Sequence, residues 1–305
     1  MARLTLLDIA KLNGADAVVG LIDETVKVHP EISMGAARTI KGLNYKTLVR
    51  TGLPTVAFRN ANEGMAASKG TYENRLVECY ILNPRWECDK AVADADEDGA
   101  EAAIALEAGG IMEASMQHLA SQFYYGVAND AKGFPGLLAA YDTTNMFIDA
   151  GGTTDDTASS VWAVRFGPKQ VQWVYGLDGQ LALSDVTTER ILDAGGVNAF
   201  SAYCQELLAR PGLQVGSTKS VARLKKVTAD AGMTCTDAKL ANLLGLFPAG
   251  IRPDVLFMTR RSLAQLQASR TATNATGAPA PIPAEAHGVP IAVTDAITDI
   301  EKLAS

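Results

Sequence analysis

Residues 52–82 read GLPTVAFRNANEGMAASKGTYENRLVECYIL, and the fold turns on what joins their two ends. Thr55–Arg59 and Arg75–Leu82 carry the β-branched, aromatic and alternating pattern of half-buried strands, while the residues between them are small or polar. Such a tip has no apolar face to bury. A hairpin in a compact domain turns in about two to five residues, so this loop is too long for a simple connection. Its strand-like base is too regular for a linker. The stretch predicts a stiff arm with a soft end, which either closes a site on its own subunit or reaches another molecule.

Composition narrows the choice. The chain has 305 residues, enough for one large or two ordinary domains. Its hydrophobic content of 48% suits a packed core, and no apolar run approaches the roughly 18 to 20 residues of a membrane span. The N-terminal stretch MARLTLLDIAKLNGADAVVGLIDE has acids and an Asn-Gly break where an export signal needs an uninterrupted apolar run, so none is read there. Cys79, Cys88, Cys204 and Cys235 stand singly, which fits reduced thiols better than a disulfide framework or a zinc site. A net charge of −7 disfavours a general nucleic-acid binder, though not a protein that encloses one.

Charge is unevenly placed. No acid occurs from Ile32 to Asn62, where Arg38, Lys41, Lys46, Arg50 and Arg59 stand. No Lys or Arg occurs from Ala91 to Ala131, where Asp94, Asp96, Glu97, Asp98, Glu101, Glu107, Glu113 and Asp130 stand. The two runs are either solvated faces of opposite sign or complementary partners.

Within the acidic run, Ala100, Ile104, Ala108, Ile111, Ser115, Leu119 and Phe123 recur at helical spacing and predict a long helix behind capping acids Asp96–Asp98. Gly109-Gly110 marks a bend or a close backbone approach. DADEDG at 94–99 imitates the start of a calcium loop, but Ala105 falls where the bidentate acid is needed, so capping is the better reading. Further on, VWAVRFGPKQVQWVYG (161–176) reads as a hairpin about Gly167-Pro168. Val197–Ala209 reads as a helix, Ser220–Ala229 as a strand and Thr236–Leu246 as a helix. DVLFMTRRSLAQLQASR (254–270) is a buried strand entering a helix capped near Thr259, with Leu263 and Leu266 inward, and GVPIAVTDAI (288–297) gives a closing strand.

Catalytic signatures are missing. The phosphate-loop, dinucleotide, serine-hydrolase and zinc-protease patterns do not occur, and GLQVGSTKS (212–220) has the wrong spacing for a phosphate cradle. His29, His118 and His287 show no acid or nucleophile partner in the sequence, and Asn274 heads a formal glycosylation sequon without an export signal. No cofactor, metal or catalytic residue is read, which shifts the balance toward a protein that works by shape.

The order of arm, hairpin ending in VECYILNPRWECDKAVADA, long acidic helix, and α/β region ending in DVLFMTRRSLAQLQ and GVPIAVTDAI resembles the major capsid proteins of tailed bacteriophages. Their Hong Kong 97-like fold is shared with encapsulin shells. The resemblance implies an α+β chain with an N-terminal arm (1–49), an extended E-loop (50–85) and a peripheral domain with a spine helix (86–134, the helix at about 97–125). A mainly axial α/β domain (135–285) and a C-terminal strand returning to the periphery (286–305) complete it. It also implies a non-enzymatic protein, made in the host bacterial cytoplasm and placed in the virion, that self-assembles through hexamers and pentamers into an icosahedral shell. That shell encloses double-stranded DNA without sequence specificity, with portal, scaffold and decoration proteins as partners and no membrane. Some members weld their shells through lysine–asparagine bonds. Lys69 sits at the arm's tip, but nothing identifies its partners, so that chemistry is not carried over.

In such shells the E-loop lies across a neighbour, so Val56, Phe58, Val77 and Tyr80 are expected to be buried between subunits. The charge asymmetry, read from the residues themselves, adds Arg50 or Arg59 pairing across the boundary with Glu101, Glu107 or Glu113. Two alternatives stay open: an encapsulin-like compartment, and an oligomeric α/β enzyme with the arm as a lid.

Overall fold

The computed structural model describes residues 5, 6, 8, 23–141, 145–179, 182–193, 195–272 and 278–303. Most of the N-terminal stretch scanned for export, and the Asn274 sequon, lie outside them. From Asp23 the chain runs extended into a short helix, α1 (Pro30–Met34), opened by a proline whose missing N–H is not needed there. Gly35 follows because a Cβ at this position would lie 2.5 Å from the Trp173 ring. Next come β1 (Ala37–Thr39) and the arm, which is β2 (Asn44–Gly52) paired antiparallel with β3 (Thr71–Glu78).

The arm's first limb is therefore not Thr55–Arg59. Pairing ends at Gly52↔Thr71, and Leu53-Pro54 leaves the ladder because proline has no N–H to donate. The second limb is strand only as far as Glu78; beyond it, Tyr80 and Leu82 hydrogen-bond through their N–H groups to the carbonyls of Pro211 and Ala209.

After β4 (Arg85–Asp89), α2 (Lys90–Ala93) is capped by the Asp89 carboxylate, which accepts from the Ala91 N–H at 2.9 Å. The long helix α3 (Ala100–Tyr125) begins at Gly99, whose φ of +92° suits glycine, with no side-chain cap. Asp96–Asp98 precede it without capping it. Gly109 and Gly110 sit within an unbroken helix with no atom near either, so they mark no close approach. No helix among the described residues is long and apolar enough to cross a membrane.

The rest of the chain is α4 (Leu137–Tyr141), β5 (Phe147–Asp149), β6 (Ser159–Val164), β7 (Val171–Tyr175), β8 (Ala182–Leu183), β9 (Thr187–Leu192), β10 (Ala199–Leu208), β11 (Pro211–Val215), β12 (Val221–Val227), α5 (Asp237–Gly245), β13 (Val255–Met258), α6 (Arg260–Ala272), β14 (Glu285–Ala286) and β15 (Val289–Val293). A six-stranded sheet runs β14-β15-β13-β6-β12-β5; β1-β7-β11 form a second sheet, and β10 carries β4 and β8 with β9 also paired to it.

Two expectations change here. β6 and β7 are not a hairpin: both edges of β6 are taken by β12 and β13, so β7 crosses to the second sheet beside β1 and β11. Val197–Ala209 is not a helix but contains β10, whose two edges are filled by β4, β8 and β9, so sheet pairing overrides local helix preference. The closing strand β15 lies parallel to β13 inside the six-stranded sheet; only the residues after it, Thr294–Glu301, reach the end of α3, where Tyr125 bonds to Thr298 and Glu301. The strand at 220–229, the capped helix after Thr236 and the strand-to-helix unit at 254–270 form as read.

The six-stranded sheet is covered on both faces, which is why β6 and β13 are apolar without alternation. Trp162, Val164 and Phe257 face α3, while Val161, Ala163, Leu256 and Met258 face Leu240, Leu243 and Leu266 of α5 and α6. One polar knot sits within this core. Arg223 of β12 pairs with Glu301 at 3.1 Å, with side chains only 1% and 3% exposed. Ser160 bridges the two, and the Tyr125 hydroxyl donates to the second Glu301 oxygen at 2.6 Å. Glu301→Ala is expected to remove the carboxylate facing the buried guanidinium and cost the subunit about 3–5 kcal/mol. A urea titration that moves by less than about 1 kcal/mol would show the pair to be dispensable.

Candidate assembly surface

The arm is a ribbon with two unlike faces. Cross-strand partners share a face, so Tyr45, Thr47 and Val49 lie with Val77, Arg75 and Glu73, and Lys46, Leu48 and Arg50 lie with Leu76, Asn74 and Tyr72. The first face is rooted in the subunit: Val77 is buried, and the Tyr45 hydroxyl bonds to Gln214 of β11. The second is bare, with Leu48, Tyr72 and Leu76 all exposed. Arg50 stacks over the Tyr72 ring at 5.4 Å and donates to its hydroxyl at 3.3 Å, stiffening the outer end.

Beyond Gly52 the tip has no ladder but is locally tied. The Ser68 hydroxyl donates to the Thr55 carbonyl at 2.9 Å, the Arg59 guanidinium donates to the Glu63 carbonyl at 2.7 Å, and Asn60 donates to the Glu63 carboxylate. These bonds leave the apolar side chains outside. Leu53 is 77% exposed, Val56 83% and Phe58 fully exposed. Three large apolar side chains exposed within six residues of one tip mark an interaction surface more than a loop surface.

The sequence-predicted contact residues divide. Arg50, Val56, Phe58 and Arg59 are exposed on the arm, as a contact with another molecule requires. Val77 does not qualify, because its own subunit buries it, and Tyr80 is half-buried against its own core. Glu101 is exposed in the first turn of α3. Glu107 is half-buried, and burial raises its carboxyl above the ordinary range. Glu113 is engaged at home: Gln117 donates to it at 2.8 Å, the Lys27 N–H at 3.4 Å, and His29 lies 3.6 Å away. The Gln117 bond is the largest cause holding its carboxyl below the ordinary range. Among the described residues no ion pair joins Arg50 or Arg59 to any of these three acids.

Sequence reading missed a groove at the root of the arm. A groove of about 420 Å³ opens between α3 and the segment leaving the arm, floored by Leu82, Ile111, Leu119 and Phe134. Ile81 forms an apolar lip, 69% exposed, and His118 beside Asp130, at 3.5 Å, closes a polar end. Each histidine, read as lacking a partner, has an acid close by: Glu113, Asp130 and, for His287, Asp237 at 4.0 Å. These partners are remote in sequence, so only folding pairs them.

The family model described as "Major capsid protein GP7" matches residues 14–303. The structure of bacteriophage Epsilon15 is similar over 99% of this chain and 97% of its own, with a TM-score of 0.74 at 19% identity. The capsid of bacteriophage JBD30 is similar over 92% and 93%, with a TM-score of 0.51 at 9% identity. Identities this low show a shared fold. No curated protein matches the sequence. The family match over nearly the whole chain sets aside the enzyme reading and favours a virion shell over an encapsulin-like compartment. The chain belongs to the major capsid protein GP7 family and is a structural protein of the bacteriophage capsid.

Proposed function

We propose that this capsid protein builds an icosahedral shell of hexamers and pentamers in which the arm of each subunit lies across its neighbour. The observation that carries the reading is the tip at residues 53–70: tied in place by its own hydrogen bonds, yet exposing Leu53, Val56 and Phe58. A side chain the size of Phe gains about 1.5–3 kcal/mol on burial, so a repeated contact of this kind favours rings over monomers. In this reading the E-loop is the arm, the spine helix is α3 in a peripheral domain, and the six-stranded sheet with α5 and α6 is the axial domain. The groove beside Ile81 is the receiving surface for the neighbour's apolar tip.

The charge runs refine it. Arg50 and Arg59 face outward on the arm, and Glu101 and Glu107 remain the acids open to a neighbour, since Glu113 is taken by the N-terminal segment. Exposed pairs are worth about 0–1 kcal/mol each and are screened by salt, so they set registry and encounter rate more than strength. A net charge of −7 suits a wall that encloses double-stranded DNA without gripping a sequence. Portal, scaffold and decoration proteins are the further partners of such a shell.

Replacing residues 54–69 with a two-residue turn is expected to leave the subunit's urea midpoint unchanged and to abolish shells in negative-stain micrographs. Shells of ordinary size and stability from that variant would remove the arm from assembly. Arg59→Glu is expected to slow assembly, followed by light scattering at low salt, with partial recovery on adding Glu101→Arg or Glu107→Arg. No recovery from either reversal, with assembly indifferent to salt, would leave the two runs as solvated faces.

A further inference from the structure

We propose that residues 23–36 form a detachable strap whose grip on α3 is released when the carboxyl of Glu31 ionises. The strap is fastened at both ends. At its start the Thr25 carbonyl accepts from Gln117 at 2.7 Å and the Lys27 N–H meets Glu113; at its end the Ala36 carbonyl accepts from the Trp173 N–H at 2.8 Å. Midway, Val28 exchanges hydrogen bonds with Asp295, donating to its carboxylate at 2.9 Å and accepting from its N–H at 3.0 Å. The strap thus lies between α3 and the segment that follows β15.

Glu31 is the point where this arrangement is vulnerable. Its residue is 0% exposed, one carboxyl oxygen accepts from the Tyr124 hydroxyl at 3.3 Å, and the other is buried without a hydrogen-bond partner. Its own carbonyl accepts from the Trp173 indole at 3.1 Å. The groups facing it are the Tyr124 phenol from α3, Trp173 from β7, and the Thr294 hydroxyl and Asp295 carboxylate from the C-terminal segment. Asp295 is the charge among them, and it repels an ionised Glu31. A buried carboxyl oxygen without a hydrogen-bond partner, next to a like charge, is tolerable when the group is protonated and costly when it is a carboxylate.

Burial, aided by Asp295, pushes the Glu31 carboxyl up to about 7 from an ordinary 4.5. The docked strap therefore holds the proton more tightly than the released one. Docking is at full strength below about pH 4.5, weakens by up to about tenfold per unit as pH rises toward 7, and levels off above that. Release would uncover Ile32 and the Trp173 face of the core and free the chain N-terminal to β1.

Hydrogen exchange of the full-length protein, followed by mass spectrometry on peptides covering residues 26–36 and corrected for intrinsic exchange, tests this. Between pH 5.5 and 8 protection of the strap is expected to fall about 10- to 100-fold relative to β13. Glu31→Gln is expected to abolish that fall. Asp295→Asn, which keeps the Glu31 carboxyl and an acceptor for Val28, is expected to shrink it. A wild-type strap indifferent to pH overturns the proposal. So does an undiminished fall in Glu31→Gln, which would assign the dependence to His29, a partner of Glu113 only when protonated. A fall in Asp295→Asn larger than in the wild type does the same, since removing a like charge can only ease the ionisation of Glu31.

Discussion

The last turn of α3 is where the separate parts of this subunit become one body. Phe123 stacks on Trp173 of β7 at 5.2 Å and meets Phe257 of β13 edge-on at 6.4 Å. Tyr124 packs on Trp162 of β6 at 6.1 Å and on Phe257 at 5.9 Å. Two adjacent side chains thus bind the second sheet to the six-stranded one. Such contacts add about 0.5–1.5 kcal/mol per pair beyond the area they bury. Tyr124 also bonds to Glu31 and Tyr125 to Glu301, so the N-terminal and C-terminal segments are held at the same place.

The arm depends on that junction at one remove. An isolated two-stranded ribbon is marginal in water, and this one is fixed at its root through Val77, Tyr45 and the bonds of Tyr80 to Pro211 and Leu82 to Ala209. Pro211 and Gly212 belong to β11, which pairs with β7, the strand carrying Trp173. The direction in which the arm points is therefore set by the aromatic cluster. Its outer face and tip have no comparable support within the subunit, and their apolar residues stand exposed on it.

How much of this was legible follows from where each signal lives. The helix at 97–125 was readable, and Ala100–Tyr125 forms, because a stripe at helical spacing is a local property. The same holds for Val255–Met258 running into Arg260–Ala272 and for the closing strand. Misreadings arose wherever pairing partners are remote. Nothing near 161–176 reveals that β6 is already flanked by strands from 221–227 and 255–258, and nothing near 199–208 reveals three strands waiting to pair. The arm's exposed residues were half legible. Phe58 and Val56 stand out, but Val77 lies on the face that turns inward, and that depends on a register running Tyr45↔Val77 rather than from Thr55.

Charge shows the same division between local pattern and folded use. The acidic run looks uniform in sequence, yet the fold gives its members different work. Glu113 is consumed by the strap, Glu107 is half-covered, and Glu101 is left free. The most deeply buried ion pair among the described residues is instead Arg223 with Glu301, whose partners lie far apart in the chain and draw no attention in either run. Sealed from water and hydrogen-bonded on both sides, that pair fixes how the C-terminal segment meets the core, and salt screens it little. The exposed charges of the arm and α3 are the converse: open to water, weak singly and sensitive to salt.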